Sequence, residues 1–496
     1  MLKTAVSKSR ELRQKLGHPV IDSDGHQNNF DPPVEDYIRA IGGSKFAVRY
    51  VPQNLRVLAR SDADRLRTHT TRDVWWVYPT KNTLDRATSA LPRLLGERMD
   101  DFGLDYCVLF GARCAMQVYR TDNPSIDRRD DKELQLVTLR AINAYKADIY
   151  REVADRMTAA FTVPMETPEG AIAELERVVT QHQAKVISIS PVHRPIQAIH
   201  EKFPGLRDFN GPFDRHASYF DCFGVDSPYN YDPFWQACLK HKVAVMTHIT
   251  GLGFTGRASV TNYMFNHVGH FADASEAFVK SLFFGGVTRR FPTLRIAVLE
   301  AGASSFARVY CDLIARFDKR GRRGLENINP ANLDQKQFAD LHARYGGPEV
   351  QKHLGKVLTQ SVGVQPEDLT GVEIDDFHLA GITSKEQIRD QFVKPFYFGC
   401  EADDPMNAVA FDSKVLPLKV KLQAIFASDI GHWDVPDMTE VLEEAYEMVE
   451  HGWITKDDFD DFTFNNPMRF FTESNPGFFH GTRVQAAADK FLKAGK

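Results

Sequence analysis

At 496 residues, 43% hydrophobic and 26% charged, the chain has the composition of a folded globular protein with a sizeable core. A formal net charge of −5 supplies no basic field for gathering nucleic acid, and no apolar stretch is long enough to span a bilayer. The six cysteines form no CxxC pair and several sit in apolar runs, which predicts buried free thiols in a reducing, cytoplasmic compartment.

The first seventeen residues, MLKTAVSKSRELRQKLG, are polar and charged, with no apolar core of a secretory signal. The first strand follows in "HPVIDSDGH", which ends at His26. Further apolar runs predict strands in "LDYCVLFG" (104–111), "MTAAFTVPM" (157–165) and "AKVISIS" (184–190). The remaining four are "KVAVMTH", "LRIAVLE", "KPFYFGCE" and "LQAIFASD", ending at 248, 300, 401 and 429. Helical periodicity separates them, as in 167–183 and 232–241, with Thr167 and Ser304 as expected N-caps.

Eight strands alternating with helices predict a parallel sheet covered by helices. Acidic and polar residues at the strand ends favour a (β/α)8 TIM-like barrel, whose chemistry sits at that face. A doubly wound sheet is the alternative, but no Gly-rich phosphate loop follows a strand. The whole chain, 1–496, reads as one distorted barrel domain with insertions at 27–100 and 319–392. Loops of that length in a barrel enzyme serve as lids, pocket walls or subunit contacts.

Asp24 and His26 end the first strand, with i, i+2 spacing that points both the same way on an extended chain. Asp-Gly-His is also an ordinary turn sequence. His248, Glu300 and Asp429 end later strands. Carboxylate oxygen and neutral imidazole together suit one divalent ion, zinc first, with manganese or iron as alternatives. Trp75, Trp76 and Tyr78 form either the core of the first insertion or an aromatic wall against substrate. The basic stretch around 60–72 reads as a solvated face or a contact for an anionic substrate group.

"IDSDGH", "MTH", "FGGVTRRFPTLRIAVLEAGAS" and "FASDIGHWD" resemble the second amidohydrolase family of the amidohydrolase superfamily. That branch holds aminocarboxymuconate semialdehyde decarboxylase and related decarboxylases, hydratases and hydrolases. The resemblance implies a distorted barrel with one catalytic metal. It implies Asp24 and His26 as a ligand pair, His248 as a ligand or proton-transfer residue, and Asp429 as ligand and general base. His432 falls near the pocket. Glu300 itself reads as a substrate-pocket residue or as an acid accepting hydrogen bonds from the next turn. The fourth-strand histidine of the family finds its nearest match in His193, followed by Arg194 as a substrate contact, although the local pattern departs from the family's. The fourth strand lacks a terminal lysine, which disfavours a carbamate-bridged pair of metals.

The expected activity is hydrolysis of an ester, thioester, lactone or related carbonyl by water that the metal activates. The alternative is non-oxidative decarboxylation of an aromatic or unsaturated acid on the same residues. A third reading is a metal-free barrel that only binds a partner. No G-x-S-x-G elbow supports a serine hydrolase. A small-molecule substrate is expected, without nucleic acid or membrane, and the insertions are compatible with a homodimer.

Overall fold

The computed structural model describes residues 6–28, 30–48, 50, 61–68, 79–111, 132–203, 218–249 and 259–495. Trp75, Trp76 and Tyr78 lie outside the described residues. All eight predicted runs form strands: β1 (Ile21–Gln27), β2 (Tyr106–Gly111), β3 (Met157–Thr162), β4 (Val186–Ile189), β7 (Ala244–Thr247), β8 (Ile296–Val298), β9 (Phe396–Cys400) and β10 (Gln423–Phe426). They make one parallel sheet in the order β1-β2-β3-β4-β7-β8-β9-β10, with helices in between. Two short strands absent from the sequence expectation, β5 (Val192–Pro195) and β6 (Ser218–Asp221), pair antiparallel beside it.

Backbone bonds join the two ends of this sheet. The Asp429 N–H donates to the Asp24 carbonyl at 2.8 Å, and the His26 N–H donates to the Ile430 carbonyl at 2.6 Å. A buried carboxylate reinforces the seam. Asp22 accepts from the Ser428 N–H (2.9 Å) and hydroxyl (2.6 Å), from the Asp24 N–H (3.2 Å) and from the Cys107 thiol (3.2 Å). The result is a nearly closed (β/α)8 barrel, as the strand count required.

Period-2 alternation sorts the strand residues into two cores. On β2, Tyr106, Val108 and Phe110 belong to one buried cluster with Val186, Met246, Tyr397 and Ile425 from other strands. Cys107 and Leu109 belong to the other, with the helix residues Leu175, Trp235 and Phe306. The C-terminal aromatics Phe470, Phe471, Phe478 and Phe479 are fully buried and join the first cluster, with the Tyr397 and Phe470 rings 5.1 Å apart. Each such side chain contributes about 1.5–3 kcal/mol relative to an exposed one.

Thr167 caps its helix as expected, accepting from the Gly170 N–H at 3.1 Å. Ser304 does not: the helix Ala303–Arg320 is capped two residues earlier, at Gly302, with no side-chain cap bond. The second insertion is a surface extension whose helix Gln335–Tyr345 buries no residue, while Phe377, Ile382, Ile388 and Phe392 anchor its later part in the core. Among the described cysteines, four are buried, Cys311 is half-buried, and none forms a disulfide. No described helix is long and apolar enough to cross a membrane.

Candidate metal centre and pocket

Asp24 and His26 lie on β1, Asp24 at a register irregularity between Asp22 and Gly25, and His26 opposite Phe110 of β2. Glycine is required between them, because a Cβ on Gly25 would lie 2.7 Å from the Cys107 sulfur and 2.8 Å from Leu109. The residue pair is therefore not a surface turn. Both side chains are buried, and their ligand atoms converge with His248 Nε2, all within 4.8 Å of one another.

Glu300 and Asp429 follow β8 and β10 in the left-handed region, both at φ +56°. For non-glycine residues such a backbone costs about 1–3 kcal/mol and persists where surrounding structure enforces it. With His432 and Asp434 they form a second group of converging ligand atoms, again within 4.8 Å. The two groups touch. His26 Nε2 lies 2.7 Å from Asp429 Oδ1, and His248 Nε2 lies 2.8 Å from Glu300 Oε2. His432 Nδ1 lies 3.1 Å from Asp429 and 2.6 Å from Asp434.

These contacts are short, yet most are not hydrogen bonds in geometry. Asp24 Oδ1, both nitrogens of His26, His248 Nε2 and both carboxylate oxygens of Glu300 and Asp429 have no hydrogen-bond partner among the described residues. Buried polar atoms are seldom left so, since each costs about 1–3 kcal/mol. Donor atoms that crowd together without bonding one another share a common target. Two imidazoles and several carboxylates, oriented this way, fit one divalent cation of the zinc, manganese or iron type.

The electrostatics agree. Burial pushes the Asp24 carboxyl well up, and neighbouring Asp429 and Glu300 add to that against the pull of His248. Burial, then Asp429, likewise raise Glu300 well above the ordinary carboxylate range. Burial would raise Asp429 too, but His432 and His26 beside it overcome this and hold it well below that range. Burial holds His26 down to about 4 despite Asp429, so its imidazole is neutral at physiological pH. Burial also opposes the charge on His432, but Asp429 and Asp434 outweigh it and keep that imidazole protonated well above the usual range.

Raised carboxyls carry protons that a cation must displace. Metal affinity is therefore expected to keep rising as pH climbs above the ordinary carboxylate range, rather than levelling off there. The sign follows from Asp24 and Glu300: their protonated forms compete with metal, and higher pH removes them. Calorimetric titration with zinc or manganese at several pH values, in buffers of different ionisation heat, measures both the slope and the released protons. An affinity that is flat above pH 5 or so contradicts the buried-carboxyl account.

An aromatic wall flanks the donors. Phe110 and Phe271 rings lie 6.0 and 5.3 Å from His248, and the His267 ring lies 5.9 Å from Phe271 and 5.6 Å from Trp433. Trp433 is half-buried, and its indole N–H has no hydrogen-bond partner among the described residues. Asp434 and Trp433 stand in the "FASDIGHWD" stretch already singled out, whereas Asp22 precedes the Asp24–His26 pair in "DSDGH"; that proximity was the only signal for them. His267 and Phe271 had none beyond helical spacing.

His193 is placed elsewhere. It lies on β5, opposite Phe220 of β6, with ring centroids 5.0 Å apart; it is exposed and belongs to neither converging group. β4 ends at Ile189, and the chain then enters β5, which pairs antiparallel with β6 outside the barrel sheet and takes His193 with it. Arg194 ties this strand pair to its surroundings. It donates to Asp221 (2.5 Å), the Glu166 carbonyl (3.1 Å) and the Tyr231 hydroxyl (2.9 Å), with Tyr229 under its guanidinium.

Residues 112–323 match the model of a family described as amidohydrolase. That segment contains His248 and Glu300, while Asp24, His26, Asp429 and His432 lie outside it. No curated protein matches the sequence. An amidohydrolase from Mycobacterium avium subsp. paratuberculosis is similar in structure, at 14% identity and a TM-score of 0.52, covering 92% of this chain and 100% of its own. A 2,6-dihydroxybenzoate decarboxylase from Rhizobium has 15% identity and a TM-score of 0.46, covering 92% of this chain and 99% of its own. A 5-carboxyvanillate decarboxylase from Sphingomonas paucimobilis has 15% identity and a TM-score of 0.44, covering 91% and 98%.

Proposed function

We propose that the chain, whose residues 112–323 match the amidohydrolase family model, is an amidohydrolase-superfamily enzyme acting as a metal-dependent decarboxylase of an aromatic or unsaturated carboxylic acid. The observation that carries this reading is the wall of Phe110, Phe271, His267 and Trp433 beside the converging donors. A flat π-system packs favourably on such rings, and the Trp433 N–H offers it a polar anchor.

Asp24, His26, His248 and Asp429 would hold the cation, which supplies positive charge that orients a substrate carboxylate and an adjacent hydroxyl. The chain's own groups then handle the proton. As the carbon–carboxylate bond breaks, carbon dioxide leaves and the electron pair stays on the ring carbon, which takes up a proton. The donor must hold that proton near neutrality. Glu300 and His432 do, whereas Asp429 is held ionised and weakly basic, which suits a ligand better than a base. The buried Phe110 and Phe271 rings would keep water from the reacting carbon.

Hydrolysis of an ester, thioester or lactone is the second reading. It is favoured by the His248–Glu300 pair, 2.8 Å apart and placed to pass a proton to a leaving group. The deciding experiment loads the protein with zinc, manganese or iron and presents hydroxybenzoic and unsaturated acids in deuterium oxide. Decarboxylation releases carbon dioxide and leaves one deuterium at the vacated carbon. Turnover of esters with no carbon dioxide from any acid establishes the hydrolytic reading instead.

A further inference from the structure

The last four barrel strands run into His248, Glu300, Glu401 and Asp429, and the converging donors include all of these except Glu401. Glu401 directly follows β9, which lies between β8 and β10 in the sheet. It is therefore flanked by the strands that carry Glu300 and Asp429. The neighbouring Cys400 pairs with Phe426 of β10, and its carbonyl accepts from the Ala427 N–H at 3.2 Å. The side-chain amide of the buried Asn407 donates to the Glu401 carbonyl at 2.8 Å and fixes the backbone there.

Alternation along β9 sets the direction of the side chain. Tyr397 belongs to the buried cluster to which all eight barrel strands contribute, whereas Phe396, Phe398 and Cys400 pack with the helices. Four residues on from Tyr397, Glu401 takes the inward direction, at the end of the barrel where the donors converge. Burial, then Glu300, Asp429 and Asp434, push its carboxyl up to about 9, so the charges acting on it are those of the donor cluster. The residue is only half-buried, and among the described residues nothing donates to its carboxylate and no cation pairs with it.

An uncommitted acid among other acids repels a carboxylate or phosphate. A hydroxyl suits it, because a hydroxyl donates to a carboxylate and accepts from a carboxylic acid, so the contact forms in either protonation state. We propose that Glu401 contacts the substrate and selects for a hydroxyl on it, an inference that rests on the reading of this mouth as a catalytic metal centre. Glu401 enters from β9, whereas Asp24, His26 and His248 enter from β1 and β7. A group held at the cation and a hydroxyl held at Glu401 would fix two edges of one small aromatic molecule beside Phe110 and Phe271.

Calorimetric titration of the manganese-loaded full-length protein compares benzoate with 3- and 4-hydroxybenzoate, and methyl benzoate with its 3- and 4-hydroxy derivatives. The acids serve the decarboxylase reading and the esters the hydrolytic one. In at least one series a hydroxylated member is expected to bind about tenfold tighter than its parent. Glu401→Leu should erase that preference, and Glu401→Gln, which both donates and accepts, should keep most of it. Both variants should hold as much metal as wild type by elemental analysis. If Glu401→Leu does not fold, Glu401→Ala carries the test. A preference confined to the esters counts against the decarboxylase reading and leaves Glu401 in its role. The inference is overturned by a preference that survives in Glu401→Leu, by loss of metal from that variant, or by no hydroxyl preference in either series up to about 10 mM ligand. The decarboxylase reading stands or falls separately, on carbon dioxide release.

Discussion

Asp429→Asn is expected to abolish metal binding at the proposed centre while leaving the barrel folded. The side chain keeps its size, and asparagine tolerates the left-handed backbone, so φ +56° carries no new strain. What changes is charge. The Asp429 carboxylate sits 2.7 Å from His26 and 3.1 Å from His432, and both imidazoles hold it ionised. Groups that merely support a metal ligand already cost about 10–100-fold in affinity or activity when mutated. If Asp429 is the direct anionic donor proposed above, removing it exceeds that, so metal affinity should fall by more than about 100-fold and activity with it. Elemental analysis of purified protein, with melting curves to verify folding, reads both. A variant that retains a full equivalent of metal at wild-type affinity removes Asp429 from the donor set.

Asp22→Ala should cause the largest loss of stability of any single change near the site. Asp22 is fully buried and accepts from the Ser428 N–H and hydroxyl across the β1–β10 seam, from the Asp24 N–H on its own strand and from the Cys107 thiol of β2. Alanine leaves those donors buried without an acceptor, each at about 1–3 kcal/mol, for a total of about 3–5 kcal/mol after partial relaxation. Burial raises the Asp22 carboxyl pKa despite these bonds, so negative charge is the costly part of the side chain and the acceptor oxygen the useful part. Asp22→Asn keeps that oxygen and should retain most of the stability. Urea unfolding of the three proteins makes the comparison. A loss under about 1 kcal/mol in Asp22→Ala would mean the backbone bonds alone close the barrel.

The sequence was most legible where its information is local. Each of the eight apolar runs became a barrel strand because a segment buried on both faces needs no distant partner to declare its type. Thr167 could be read as a cap for the same reason: the hydroxyl and the N–H it accepts from are three residues apart. Strand ends were legible too, since "DSDGH", "MTH", "VLE" and "ASD" interrupt apolar runs with groups that a core would reject.

Convergence was a different matter, because it depends on backbone turns that no short window encodes. Glu300 and Asp429 meet the histidines only through left-handed turns, and Gly431, at φ +86°, brings its loop so close to His26 that a Cβ would lie 2.2 Å from the His26 carbonyl. His193 looked like its fellow histidines in composition, yet it lies on β5, paired with β6 outside the barrel sheet, where Arg194 bonds Asp221. Asp22, Asp434 and the wall from Phe110 to Trp433 came into the site from segments far apart in the chain. The sequence alone therefore determined the strands and the side chains able to bind a cation at their ends. Only the tertiary structure decided which of them meet, since that rests on long-range closure of the barrel and on the paths of its loops.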